Sequence, residues 1–111
     1  SPVTGVQTCA LQIYSALIPL EALPEEMGGS PSRARQHFER AVELSDGLDA
    51  SVYVTFAAVA RGADDREEFE LLLKDALAVD PDEDKSYRLL NLISQKLARD
   101  LLDHIDDLFF E

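Results

Sequence analysis

One apolar pattern occurs twice in this sequence, and the second copy begins 35 residues after the first. The first copy runs from Phe38 to Asp46 (FERAVELSD) and the second from Leu73 to Pro81 (LKDALAVDP). Both copies repeat their apolar residues at intervals typical of one face of a helix. A period of this length indicates supersecondary units that bury their apolar faces against one another. The repeat therefore restricts the fold more than any single segment does.

The local pattern alone does not decide the conformation of the segment between the two copies, Val52–Ala60 (VYVTFAAVA). Its β-branched residues favour a strand, whereas its alanines favour a helix. The same offset aligns Val54 with Leu89 and Ala58 with Ile93, and the later residues belong to an amphipathic pattern typical of a helix. We therefore predict that the earlier segment is also helical.

Helix–turn–helix units of about 34 residues with this order of small and large apolar residues are typical of tetratricopeptide repeats. We predict an all-α fold of tetratricopeptide-like helical hairpin repeats, an α-solenoid fragment, over residues 14–111. Ala41 and Ala76 are expected where two helices approach closely. Turns are expected at Gly28 and Gly29, Ser45–Leu48, Gly62 and Ala63, and Asp80–Asp84. The last helix is expected over Asp84–Phe109, with a stripe formed by Leu89, Leu92, Ile93, Leu97, Leu101, Ile105 and Leu108.

The first thirteen residues, Ser1–Ile13 (SPVTGVQTCALQI), resemble the translation of a sequencing-library adapter joined to a gene fragment. We expect them to be non-native and unstructured, and we expect residues 14–111 to be the C-terminal part of a longer protein. Cys9 is the single cysteine, which excludes a disulfide framework or a Cys-rich metal site within the chain. It does not fit a lipoprotein acylation site, because no basic start and no apolar region precede it.

Charge excludes several classes of partner. The chain carries 22 acidic and 10 basic residues, for a net charge of −12. Nucleic acids and anionic lipid surfaces both require a positive footprint, so this balance argues against them. No apolar run approaches the roughly 20 residues of a membrane span. The hydrophobic share of 46% is nevertheless sufficient for a core, so the sequence predicts a folded domain.

Three runs of sequence carry a closer resemblance. They are GGSPSRARQHFERAVELSDG (Gly28–Gly47), DDREEFELLLKDALAVDPDED (Asp64–Asp84) and LLDHIDDLFF (Leu101–Phe110). Their order resembles the C-terminal part of the T-component (TatT) family of tripartite ATP-independent periplasmic (TRAP) transporters. The resemblance implies a non-enzymatic accessory protein, periplasmic and lipid-anchored in its full-length form, with the anchor outside this chain. It also implies a hydrophobic channel, assembly as a homotrimer, and binding of the substrate-binding P-component and a small apolar ligand.

A second interpretation needs no family resemblance. The repeats alone are also compatible with a generic tetratricopeptide scaffold that holds a peptide or a protein partner in its groove. A lipoprotein signal upstream, beside genes for the P-component and the membrane subunits, would favour the transporter interpretation.

The sequence offers one candidate for a metal site and none for a catalytic site. Asp100, His104 and Asp107 are spaced to share a face of the last helix, where they could hold a divalent cation. The competing interpretation is a solvated face of a terminal helix, which these common spacings favour. No serine lies in a G-x-S-x-G context, and no glycine loop is followed by the residues that bind phosphate. We therefore expect no enzyme activity, no metal and no cofactor.

Four residues are predicted to contact a partner or an apolar ligand: Tyr53, Phe56, Tyr87 and Leu90. They lie on the first helices of their repeats, and first helices line the concave face of tetratricopeptide arrays. The competing role is packing in the groove between hairpins, which is favoured because helical repeats use their apolar faces so completely.

Overall fold

The computed structural model describes residues 31–109, and for Pro31 it describes the backbone alone. These residues form α1 (Pro31–Leu44), α2 (Ala50–Gly62), α3 (Arg66–Ala78), a 3-10 turn (Lys85–Tyr87), α4 (Arg88–Asp103) and α5 (Ile105–Leu108). No strand occurs among them, which confirms the all-α helical-repeat prediction, and Val52–Ala60 lies within α2. No helix in this part of the chain is both long and apolar enough to cross a bilayer. The expectations for residues 1–13 and for the turn at Gly28 and Gly29 lie outside the described residues.

The repeat extends to the residues that begin the helices. The Asp49 carboxylate accepts hydrogen bonds from the backbone N–H of Ser51 at 3.0 Å and from its hydroxyl at 2.5 Å. The same contacts occur 35 residues later, where Asp84 accepts from the Ser86 N–H at 3.0 Å and from the Ser86 hydroxyl at 2.6 Å. Such side chains satisfy backbone donors that the first turn of a helix leaves unpaired. The two copies therefore share their start signals as well as their apolar pattern.

Left-handed residues end the first two helices. Asp46 and Gly47 have φ values of 53° and 72°, and the Gly47 N–H donates to the Val42 carbonyl at 2.9 Å. Asp64 has a φ of 58°, and the Asp65 N–H donates to the Ala60 carbonyl at 2.9 Å. These are the bonds that close a helix C-terminus and reverse the chain. The turn between α2 and α3 therefore follows Gly62, which is still helical.

The predicted single helix over 84–109 is divided at His104. The ring Nδ1 of His104 lies 2.8 Å from the Asp100 carbonyl oxygen, so Nδ1 carries the hydrogen and donates it. The backbone N–H of His104 turns instead to the Leu101 carbonyl at 3.2 Å. Because the ring has taken the place of the main-chain donor, the regular helix ends at Asp103 and the short α5 begins after it.

The core is centred on α2, which contacts α1, α3 and α4, and its most extensive contact is with α3. Ala41 and Ala76 are completely buried, as expected for the small positions between helices. Phe69 and Leu73 are the largest fully buried side chains that α3 contributes. Burial of this kind supplies most of the stability of short helices, which are marginal in isolation.

Candidate functional site

A cleft of about 390 Å³ lies between α1 and α3, over the surface of α2. We call it the α1/α3 cleft. Its apolar lining comes from Phe38, Val42, Tyr53, Leu71 and Leu72, and its charged lining from Arg35, Glu39, Glu68 and Asp75. An apolar floor with a few polar groups at its edge is the usual composition of a binding pocket.

Phe38, Tyr53 and Arg35 line this cleft, and the buried ring of Phe56 packs behind them. The rings of Phe38 and Phe56 stack with centroids 4.4 Å apart, and Tyr53 meets Phe38 edge-on at 5.7 Å. The Arg35 guanidinium lies 5.2 Å from the centroid of the Phe56 ring and pairs with Glu68 at 2.8 Å. Arg35 is about half exposed, so the ion pair contributes little to stability. Its effect is to connect α1 to α3 across the cleft.

Of the four predicted site residues, Tyr53 lines this cleft. Burial raises the pKa of its phenol above the ordinary value, and the nearby Asp75 carboxylate raises the pKa further. The phenol therefore keeps its proton at neutral pH and can donate a hydrogen bond. A second cleft of about 430 Å³ adjoins the first, since Tyr53 and Asp75 line both.

A second apolar surface lies on α4, on the side that faces away from the core. Leu89 is 73% exposed and Ile93 is 57% exposed, and Leu90 and Leu97 are exposed beside them. We call these four residues the leucine row. Leu92, also exposed, continues it toward the polar side of the helix. Single exposed leucines are ordinary, but several on one helix make a candidate binding surface.

The rotation of α4 that exposes the leucine row is fixed by two buried amides. The Asn91 side chain accepts from the Ala50 N–H and donates to the Leu48 carbonyl, both at 2.8 Å. The Gln95 side chain donates to the carbonyls of Ala76 at 3.1 Å and Val79 at 2.6 Å. The Asn91 bonds satisfy the Ala50 N–H and the Leu48 carbonyl at the start of α2, and the Gln95 bonds supply a donor to carbonyls at the end of α3, where Ala76 also accepts from the Val79 N–H at 3.4 Å. A turn of α4 about its axis would break all of them.

The structure places the four predicted site residues in different surroundings. Tyr53 is half-buried at the α1/α3 cleft, and Leu90 is exposed in the leucine row, which lines neither cleft. Phe56 and Tyr87 are only 6% and 7% exposed, so their side chains belong to the core. The predicted residues are therefore not brought together in one continuous surface, although two of them lie on the two exposed apolar surfaces.

Tyr87 has an additional feature. Its hydroxyl is buried and has no hydrogen-bond partner among residues 31–109. Burial raises the pKa of this phenol, and the carboxylates of Asp49 and Asp84 raise it further. An unpaired buried hydroxyl is a local cost in stability.

The acidic C-terminal helix brings no ligand set together. No group of three or more His, Cys, Asp or Glu side chains within residues 31–109 is arranged to hold a metal ion. The hydrogen bond to the Asp100 carbonyl raises the pKa of His104, and the carboxylates of Asp107, Asp103 and Asp100 also raise it. The Nδ1 atom of His104 is thereby committed to the end of α4.

Sequence reasoning did not identify Asn91 and Gln95, although a signal for both was present. The 35-residue offset aligns Asn91 with Phe56 and Gln95 with Ala60, and both of these α2 residues are buried. Two amides at core positions of a repeat, one turn apart, indicate polar anchors facing inward. The same alignment sets Ile93 and Leu97 at the positions of Ala58 and Gly62, which are exposed on α2.

In its described part the chain is thus a helical-repeat protein with two exposed apolar surfaces. The TRAP transporter T-component family matches residues 9–109, and the chain belongs to this family. It is also 34% identical over 91 residues to an uncharacterized protein of Treponema pallidum (strain Nichols). That match covers 81% of this chain and 28% of the relative, so the chain spans less than a third of the relative's length. No solved structure matches the chain.

Proposed function

We propose that this TRAP transporter accessory component binds the substrate-binding P-component of its transporter and catalyses no reaction. Family membership supports the transporter, and the exposed leucine row supports binding. The leucine row is the observation on which the proposal depends. Hydrogen bonds of Asn91 and Gln95 fix the orientation of α4, so the helix cannot turn these side chains into the core. Exposing an apolar surface of this kind to water costs free energy, and a partner that covers the surface removes that cost.

The family also supports a periplasmic location, and we propose that the full-length protein is lipid-anchored there and forms a homotrimer. Residues 14–111 would then form one tetratricopeptide-like repeat domain of it. The α1/α3 cleft is our proposed position for a small apolar ligand, because its floor is aromatic and the Tyr53 phenol can orient a bound polar group. Phe56 and Tyr87 would support these surfaces from behind, whereas Tyr53 and Leu90 would make contact.

The test is binding of the purified P-component encoded beside the same transporter. Biolayer interferometry would compare wild type with Leu90→Asp and Tyr53→Asp, each checked for helix content by circular dichroism. We expect Leu90→Asp to weaken binding about ten-fold, which corresponds to about 1.4 kcal/mol. Absence of binding by the wild-type chain would remove the proposal. Equal binding by the folded Leu90→Asp variant would remove the leucine row from the site.

A second candidate function is that of a peptide-binding scaffold outside any transporter. The observation that favours it is the pair of adjoining clefts, which together form an extended groove with carboxylates along its edge. In that case Tyr53→Asp would affect binding more than Leu90→Asp, and the P-component would not bind.

A further inference from the structure

Carboxylates dominate the charged lining of the α1/α3 cleft and of the cleft that adjoins it. Together the two clefts are lined by five acidic residues and one basic residue: Glu39, Glu68, Asp75, Asp80, Glu83 and Arg35. Asp75 and Tyr53 line both clefts. The proposed position for a small ligand is therefore acidic as well as apolar.

The one basic residue of this lining already has a partner. The Arg35 guanidinium pairs with Glu68 at 2.8 Å and lies 5.2 Å from the centroid of the Phe56 ring. This pair cancels one charge of each sign, so the two clefts keep an excess of four carboxylates. Glu39 and Asp75 form no ion pair with any residue from 31 to 109. Their negative charge is therefore not compensated within the described structure.

The other basic residues of the chain lie elsewhere. Residues 1–30 contain three glutamates and no lysine or arginine, so all 10 basic side chains belong to the described part of the chain. Only Arg35 among them lines either cleft. Five others pair with acidic residues outside the α1/α3 cleft: Arg40, Arg66, Lys74, Arg88 and Lys96. The carboxylates of the cleft are thus left to cations from the solvent or to a bound group.

The aromatic lining beside these carboxylates suits a cation as well. Phe38 and Tyr53 meet at 5.7 Å with their ring planes 74° apart, and the face of an aromatic ring attracts positive charge. The Tyr53 phenol keeps its proton at neutral pH, because burial and the Asp75 carboxylate both raise its pKa. Its oxygen can nevertheless accept a hydrogen bond from an N–H group. An ammonium group would therefore find acceptors and aromatic surface in the same cleft.

We propose that the α1/α3 cleft binds a small organic cation, an alkylammonium compound with its hydrocarbon part on Phe38 and Val42 and its ammonium group beside Asp75 and Tyr53. The volume of about 390 Å³ lies in the usual range of small-molecule sites. The proposal deepens the proposed function, on which it rests for the position of the ligand, and adds the sign of the ligand's charge. Charge complementarity carries the choice, because an anionic ligand would face uncompensated carboxylates.

The test compares three probes that share one hydrocarbon chain: hexylammonium, hexanol and hexanoate. Titration of the ¹⁵N-labelled whole chain at neutral pH, followed by NMR, would give each affinity and the amides that shift. We expect hexylammonium to bind about ten-fold more tightly than hexanol, and hexanoate to bind most weakly. The advantage of hexylammonium should shrink between about 0.05 M and about 0.5 M salt, because screening weakens exposed charge contacts.

Two matched variants locate the contact. Asp75→Asn should weaken binding of hexylammonium about five-fold and leave that of hexanol unchanged, because it removes a charge and keeps the shape of the side chain. Asp103→Asn is the control, since it removes the same charge from the end of α4 and lines neither cleft. It should leave both affinities unchanged. Asp75 and Asp103 are both exposed, so the variants should fold.

The outcomes separate this inference from binding of the P-component. Equal affinity for hexylammonium and hexanoate overturns the inference even if the P-component binds. Equal weakening in Asp75→Asn and Asp103→Asn also overturns it, because the net charge of the whole protein then attracts the cation.

Two further outcomes concern the partner. A preference for hexylammonium that Asp75→Asn abolishes, without any binding of the P-component, supports the inference and removes the P-component from the proposed function. Displacement of bound P-component by hexylammonium overturns the inference, because the ammonium group in the cleft would then be a lysine of the partner.

Discussion

Helices α2 and α4 occupy equivalent places in the repeat, yet they bury opposite kinds of surface. Helix α2 buries Phe56 and Ala60 and packs against three other helices. At the equivalent positions α4 buries Asn91 and Gln95, and its apolar residues from Leu89 to Leu97 are exposed, whereas Leu101 and Leu102 near its end pack partly against the core. One helix is held by apolar packing and the other by hydrogen bonds to the ends of its neighbours. The difference teaches that a shared repeat fixes where a helix lies, whereas its inward residues decide what it leaves exposed.

The largest test of this comparison is Phe56→Ala. The substitution removes a buried ring that stacks on Phe38, and we expect a loss of about 3–5 kcal/mol in the free energy of unfolding. Urea denaturation followed by circular dichroism would measure it. Leu90→Ala, a truncation at an exposed position of α4, should cost less than about 1 kcal/mol. Similar losses at the two positions would contradict the division into a packed and an exposed apolar surface.

Asn91→Ala tests whether hydrogen bonds hold α4. It would leave the Ala50 N–H and the Leu48 carbonyl without their partner, and each unpaired buried group costs about 1–3 kcal/mol. We expect a total loss of about 2 kcal/mol in the free energy of unfolding. Lys96→Ala on the same helix is the control and should change stability by less than about 0.5 kcal/mol. If both variants unfold at the same urea concentration, Asn91 is not an anchor.

The two equivalent caps, Asp49 and Asp84, should respond to pH in opposite directions. Burial raises the pKa of Asp49 in spite of its bonds to Ser51, so its contribution to stability falls as the pH rises above the ordinary value of 3.8. Bonds from Ser86 lower the pKa of Asp84, so its contribution is present above that value and is lost as the pH falls through the lowered pKa.

Unfolding free energies between about pH 3 and pH 6 would measure these contributions in wild type, Asp49→Asn and Asp84→Asn. Asp84→Asn should reduce the loss of stability in acid. Asp49→Asn removes a contribution that falls as the pH rises, so the free energy of unfolding of this variant should increase more steeply with pH than that of wild type. The same change of slope in both variants would show that the caps are electrostatically equivalent.

The smallest expected effect is that of Ile93→Ser on stability. Because Ile93 is exposed, the free energy of unfolding of the Ile93→Ser variant should stay within about 0.5 kcal/mol of that of wild type. Binding of an apolar dye should nevertheless decrease, since the leucine row is interrupted. Ala58→Ser, at the equivalent position of α2, should leave dye binding unchanged. A large loss of stability in Ile93→Ser would mean that the row is covered by the rest of the chain.

The sequence predicted the helices from the repeat, which decided between strand and helix at Val52–Ala60 and identified the buried Ala41 and Ala76. It did not predict how α4 is turned. An amphipathic pattern normally faces its apolar side inward, and only the partners of Asn91 and Gln95 at the ends of other helices reverse that rule. Those partners lie far away in sequence, so the pattern of α4 alone does not show them, and only the alignment of Asn91 and Gln95 with Phe56 and Ala60 indicates that the two amides face inward.

The candidate site was predictable to a similar extent. The sequence indicates which residues share first helices, and this places Tyr53 and Leu90 near exposed surfaces. It does not indicate how deeply each side chain is buried. The burial of Phe56 and Tyr87 could not be predicted without knowing how α2, α3 and α4 pack together. The break at His104 likewise depends on a ring atom that reaches the Asp100 carbonyl.

The outward leucines also connect the occupancy of a surface to the order of the whole array. In a linear repeat protein each unit is stabilised by its contact with the next. The leucine row is an exposed apolar face on which a further stabilising contact can form. A ligand that binds only the folded chain stabilises it by RT ln(1 + [L]/Kd), which is about 2.7 kcal/mol at a hundred times Kd. A partner on α4 would therefore act as a substitute neighbour, and the melting temperature of the chain would report its concentration.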